Sequence, residues 1–167
     1  EALKKSPIVS FASIFVSQLF DVPAMAALFR SVKENGAILC ADTTRPKHGE
    51  TVADLAPALA YVDYIFPNYE EARAISGRER PEEIAQAFLD CGASCAVIKL
   101  GSEGCYLRTA SEAALIPAYP DTHCIDTTGA GDNFAAGFLY ALSEGMPPIE
   151  CARFANAAGR PLRSRKN

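Results

Sequence analysis

Asp126-Thr127-Thr128-Gly129-Ala130-Gly131-Asp132-Asn133-Phe134 sets two threonines and two glycines directly ahead of an apolar run, Phe134 to Leu142, long enough for a buried helix. Glycines at such a junction let the backbone turn sharply and bring successive N–H groups close to a bound group. At the positive end of a helix those N–H groups suit phosphate oxygens. Asp132 does not fit an anion site, because a carboxylate repels phosphate. It does fit if it accepts the proton of a hydroxyl that attacks phosphorus, which is the chemistry of a kinase. The ordinary alternative is that Thr127, Thr128 and Asp132 are capping residues and the glycines a simple loop before a core helix.

The rest of the chain bounds the setting. Its 167 residues are enough for one domain with a real core, and 49% hydrophobic with 22% charged residues is ordinary globular composition. A net charge of −4 argues against nucleic acid as a partner, since that would require a basic face. No apolar run approaches the roughly 20 residues of a membrane span, so no membrane partner is expected. The start, Glu1-Ala2-Leu3-Lys4-Lys5, leads into a strand-like segment rather than a signal peptide, and the missing initiator Met suggests a start inside a longer protein. The six cysteines, Cys40, Cys91, Cys95, Cys105, Cys124 and Cys151, form no Cys-x-x-Cys pair and lie in apolar patterns. Buried free thiols in a reducing cytoplasm are expected. His48 and His123 have no partners that would make a triad or a metal site.

Strand-like and helix-like segments alternate along the chain. Strands are expected at Ile8–Phe15, Ala37–Ala41, Tyr64–Phe66, Ala96–Leu100, Cys105–Arg108 and Glu112–Ala118. Helices are expected at Val22–Glu34, Thr51–Tyr61, Asn68–Ser76, Pro81–Cys91, Ala130–Ser143 and Ile149–Ala158. Near-continuous apolar strands alternating with helices indicate an α/β fold of three αβα layers around a mainly parallel sheet. Ligands of such sheets bind beyond the carboxyl ends of the strands. Asp42, Asn68, the run Lys99 to Gly101 and the glycine loop all follow strands and should gather there.

Neither a Gly-x-x-x-x-Gly-Lys-Ser/Thr loop nor a Gly-x-Gly-x-x-Gly dinucleotide loop is present. Asn68-Tyr69-Glu70-Glu71 reads from spacing as a capping box, with Asn68 as N-cap and Glu71 three residues on. Val97 to Tyr106 reads as a hairpin with Gly101 and Gly104 where unusual dihedrals are needed. Lys99 is equally readable as a strand-end lysine. Arg45 and Lys47 are suitable phosphate partners or a solvated basic loop. Asn156 is a polar position on an apolar helix.

The nine residues from Asp126 to Phe134, continued by Ala135-Ala136-Gly137-Phe138, resemble the C-terminal signature of the pfkB-type carbohydrate kinases, the ribokinase-like family. The likeness runs from about Ile8 to Gly159, with its specific motifs between Asn68 and Gly137. It implies an ATP-dependent transfer of the γ-phosphoryl group to a sugar hydroxyl, with ribokinase-like or fructokinase-like substrates ahead of nucleosides. It makes Asp132 the catalytic base and the turn Gly129, Ala130 and Gly131 the anion hole for the migrating phosphoryl group. By the same resemblance Asn68 and Glu71 help organise Mg2+ and phosphate through water, and Lys99, Gly101, Ser102 and Gly104 border the nucleotide. Asn156 matches a helix lining the adenine pocket, and Asp126 and Thr128 match positions that hold a monovalent cation, K+, in many members. A homodimer is compatible with it.

The chain departs from the family pattern at both ends. The part carrying the Gly-Gly signature, most sugar contacts and the lid is missing, so the ribokinase-like fold is expected to be incomplete. Residues 1–159 are expected to form the nucleotide-binding C-terminal part, and Arg160 to Asn167 a basic tail with Pro161 ending any helix. The rival reading is a non-catalytic nucleotide-binding fragment.

Overall fold

A computed structural model of the chain describes residues 6–16, 21–119 and 129–159. A sheet of six strands lies in sequence order: β1 (Ile8–Ile14), β2 (Ile38–Thr43), β3 (Tyr64–Ile65), β4 (Cys95–Lys99), β5 (Cys105–Thr109) and β6 (Ala113–Ile116). The first four strands are parallel, and β4, β5 and β6 pair antiparallel through two hairpins. Four helices, α1 (Val22–Glu34), α2 (Ala56–Leu59), α3 (Tyr69–Ser76) and α4 (Pro81–Asp90), occur before β4; α5 (Ala130–Ser143) and α6 (Pro148–Ala158) follow β6.

Side-chain alternation along the strands divides the core in two. Leu39, Ala41, Ile65, Ala96 and Ile98 face the layer of α1 to α4, meeting Phe29, Leu59, Ile75 and Phe88. Their neighbours in sequence, Cys40, Phe66, Cys95 and Val97, face α5 and α6 and meet Phe134, Phe138, Cys151 and Ala155. A period of two puts consecutive residues on opposite faces, so a strand apolar at every position must be covered on both sides. Phe66 stacks at 4.8 Å on Phe138, which fixes α5 over the carboxyl end of β3. This is the expected three-layer α/β architecture.

Local chemistry accounts for most helix ends. Asp21 caps α1 by accepting from the Ala24 N–H, with a proline in the first turn. Gly77 closes α3 in the left-handed conformation. The helix expected over Thr51–Tyr61 is shortened to Ala56–Leu59. Residues 51–54 instead form a turn in which the Thr51 N–H and hydroxyl both donate to Asp54, and the N–H groups of Asp54, Leu55 and Ala56 reach back only three residues. Pro57 has no N–H to start a regular ladder there. The strand expected over Glu112–Ala118 is likewise shorter, at Ala113–Ile116. No helix among the described residues is long and apolar enough to cross a membrane.

Candidate functional site

The carboxyl ends of β2, β3 and β4 bring together residues far apart in sequence. Lys99, the last residue of β4, reaches across to Asp42 near the end of β2, Nζ to Oδ2 3.0 Å. The two side chains are only 14% and 21% exposed, so the pair is largely shielded from water. Thr43 N–H donates to Asp42 Oδ1 at 2.8 Å, so both carboxylate oxygens are engaged. Burial pushes the Asp42 carboxyl up from its ordinary range, the Lys99 charge and hydrogen bond and the Thr43 N–H pull it back, and the nearby Glu71 charge adds a smaller upward push.

Asn68 stands between these strands at the start of α3. It forms an isolated parallel bridge with Lys99, and the Lys99 N–H donates to the Pro67 carbonyl at 2.9 Å. Both halves of the capping box are formed: Glu71 N–H donates to Asn68 Oδ1 at 2.9 Å, and Asn68 N–H donates to Glu71 Oε2 at 3.3 Å. The hydroxyl of Thr43, itself buried, donates to the same Glu71 oxygen at 3.3 Å. The capping box therefore does more than start a helix. It holds Glu71 in place at the strand ends, with β2 as its second support.

The glycine turn enters from the other layer. Gly129 is the N-cap of α5 in the left-handed conformation, Ala130 and Gly131 open the helix, and Asp132 lies exposed in its first turn. A Cβ at Gly131 would meet one described atom within reach, Lys99 Nζ at 3.4 Å. The lysine ammonium thus lies within contact distance of the side-chain position that Gly131 leaves vacant. Backbone N–H groups at a helix start and an adjacent cation together suit an anion.

The remaining residues singled out in the sequence are distributed as follows. Gly101 and Ser102 lie exposed in a 3-10 turn, Gly101–Glu103, between β4 and β5. Gly104 is buried against the backbone of residues 116–118, so its missing side chain makes room for protein and not for a ligand. Asn156 on α6 donates its amide to the carbonyls of Ile116 and Pro117 at 3.0 and 3.2 Å, tying α6 to the end of β6. Arg45 is exposed, and Lys47 donates to the Val16 carbonyl at 3.0 Å. Asp126 and Thr128 lie outside the described residues, as does the tail 160–167. The Asp42–Lys99 pair and the Thr43 support of Glu71 were not anticipated from the sequence. The available signal was a polar residue ending each apolar strand, which marks a position and not a partner.

Comparisons with known proteins identify the family. The family model of the pfkB family carbohydrate kinases matches residues 1–167. A 2-dehydro-3-deoxygluconokinase of Bacillus subtilis is 35% identical over 109 residues, 65% of this chain and 33% of the relative. A cytidine kinase of Thermococcus kodakarensis is 37% identical over 101 residues, 59% of this chain and 36% of the relative. The solved structure of Arabidopsis thaliana ribokinase, complexed with ribose and ATP, superposes with a TM-score of 0.74 at 28% identity, over 95% of this chain and 50% of that one. The chain therefore spans about a third of the length of these two curated relatives and half of that solved structure. With the whole chain matched by the family model, and a three-layer sheet that carries the glycine turn at its strand ends, this protein belongs to the pfkB family of carbohydrate kinases.

Proposed function

We propose that residues 1–159 form the nucleotide-binding, C-terminal part of an ATP-dependent kinase that phosphorylates a sugar hydroxyl. The observation that carries this reading is Asp132 in the first turn of α5, one residue from Gly131, whose open side faces the Lys99 ammonium. A phosphoryl group held by the turn would lie next to a carboxylate able to receive a proton. The acceptor hydroxyl oxygen forms a bond to the γ-phosphorus as the bond to the ADP oxygen breaks. The hydroxyl proton passes to the Asp132 carboxylate, and ADP departs with the electron pair. An ordinary aspartate is a weak base, yet it suffices where the proton leaves as the new bond forms and positioning supplies most of the rate.

Glu71 suits Mg2+, because a carboxylate fixed by Thr43 and Asn68 can anchor an ion that keeps several waters and takes phosphate oxygens. When bound, that ion would neutralise charge on the phosphates. Lys99, Gly101, Ser102 and the backbone of Gly104 would border the nucleotide. Asn156 would act on the adenine side through the strand end that it ties down.

The acceptor class is a sugar, with a nucleoside as the second reading; the cytidine kinase among the relatives favours keeping it. Because the chain spans a third to a half of its relatives, we place most acceptor contacts outside it and expect residues 1–167 alone to bind ATP without phosphorylating sugar. The test is Asp132→Asn in the intact protein, assayed by ADP release with ribose, fructose and nucleosides. Turnover should fall by about 10²–10⁴-fold, the contribution of a positioned general base, while ATP affinity stays within a few-fold. Near wild-type turnover would sink the assignment.

A further inference from the structure

The Asp42–Lys99 pair is the one shielded ion pair among the described residues that abuts the glycine turn; the Lys33–Asp63 pair lies elsewhere, on α1 and just ahead of β3. Three observations bear on it. Asp42 has both oxygens engaged, one by Lys99 and one by the Thr43 N–H, so the carboxylate is itself held still. The Lys99 ammonium carries three donors, and the hydrogen bond to Asp42 uses one of them. The same ammonium is 3.4 Å from the Cβ position that Gly131 leaves vacant, which places it beside the N-terminal turn of α5.

We propose that Lys99 binds the terminal, transferred phosphate of the nucleotide and that Asp42 is a positioning residue acting through it. A lysine is a flexible point charge on a four-carbon stem and places itself poorly. A buried carboxylate that takes one ammonium hydrogen fixes the direction of the other two. The proposal rests on the kinase reading and adds which part of the nucleotide Lys99 senses: the γ-phosphate, which ATP has and ADP lacks.

The test is a calorimetric affinity series on the intact protein with ATP, ADP and adenosine, using Lys99→Met, Lys99→Arg, Asp42→Asn and the double variant Asp42→Asn/Lys99→Met. Lys99→Met should lower ATP affinity by about tenfold or more, the size of one charge-assisted hydrogen bond, and leave ADP and adenosine within about twofold. Asp42→Asn should reduce the preference for ATP over ADP when Lys99 is present and have no further effect on it in the Lys99→Met background. Lys99→Arg, which keeps the charge in a different shape, should retain part of the preference.

A lysine that merely supports the fold would weaken all three ligands together, and that result would overturn the proposal. An Asp42→Asn effect of equal size with and without Lys99 would overturn the positioning role. Should Lys99→Met fail to fold, the Lys99→Arg and Asp42→Asn series decides by the same ratio. A wild-type protein that binds neither ATP nor ADP would refute the kinase reading and this inference with it. Normal binding with an unchanged ratio would refute this inference alone.

Discussion

Alanine in place of Gly104 drives a methyl group into backbone. The new Cβ would overlap the Ile116 carbonyl oxygen, and it would lie 2.5 Å from the Ala118 nitrogen and 2.6 Å from the Pro117 carbonyl carbon. None of these is the end of a flexible side chain, so relief requires the segment after β6 to move away from β5. Gly104 also sits at φ 101° and ψ −125°, a region that side chains avoid. Strain of that kind costs about 1–3 kcal/mol. Forcing a methyl into filled space adds about 1–3 kcal/mol. The expected loss is about 2–6 kcal/mol, a large share of the stability of a typical domain.

Gly101, three residues earlier in the same turn, is the internal control. Its φ of 62° is also left-handed, but a Cβ there meets nothing within 4 Å. Only the backbone preference acts, about 1–2 kcal/mol, partly offset by the reduced freedom of the unfolded chain. Urea unfolding of the two variants beside the wild type, with m-values compared, separates the cases. Gly104→Ala should lose at least about 1 kcal/mol more than Gly101→Ala, from the sterics alone. Equal losses, or a Gly104→Ala variant within about 1 kcal/mol of wild type, would refute the steric reasoning.

Three other outcomes are expected. Gly131→Val should abolish turnover in a protein that still folds, because its side chain would project toward Lys99 into the space assigned to phosphate; ADP release alongside thermal unfolding checks this, and an active, folded variant would make the turn purely structural. The Thr51 N–H and hydroxyl hold the Asp54 carboxyl below its ordinary range, so it stabilises the folded state above its unfolded pKa and the benefit is lost as pH falls through the folded one. Asp54→Asn should therefore lower Tm at pH 7, with the gap closing in acid; a gap independent of pH would contradict the assignment. Burial pushes the Cys40 and Cys105 thiols up to about 12 and raises Cys95 as well, whereas Cys91 is only partly buried. With Cys124 replaced by serine, maleimide at pH 8 should modify Cys91 well before these three, as mass spectrometry of labelled peptides would show.

Much of the secondary structure could be read from local pattern, because side-chain periodicity is a local property. The helices Val22–Glu34 and Ala130–Ser143 occur as their periodicity and end signals indicate, and each expected strand forms to within two residues at either end. The capping box at Asn68 and Glu71 was legible for the same reason, since both partners lie within one turn. Thr51–Tyr61 was misread because its helical pattern of apolar residues competes with Thr51–Asp54 hydrogen bonding and Pro57, and the turn prevails.

The resemblance carried by Asp126 to Phe134 pointed to the family, but it could not show how the site is held. Only the tertiary structure decided that. The Asp42–Lys99 pair joins residues 57 positions apart, and nothing in either neighbourhood names the other. Thr43 is a strand-end threonine until the parallel pairing of β2, β3 and β4 brings it to Glu71. Why residue 104 is a glycine shows only when the segment after β6 is laid against it, and Asn156 looks like a free polar position until α6 docks on the same strand. Local sequence sets which face of a strand or helix is apolar; which strand ends meet depends on how those faces pack, and the candidate site is made where they do.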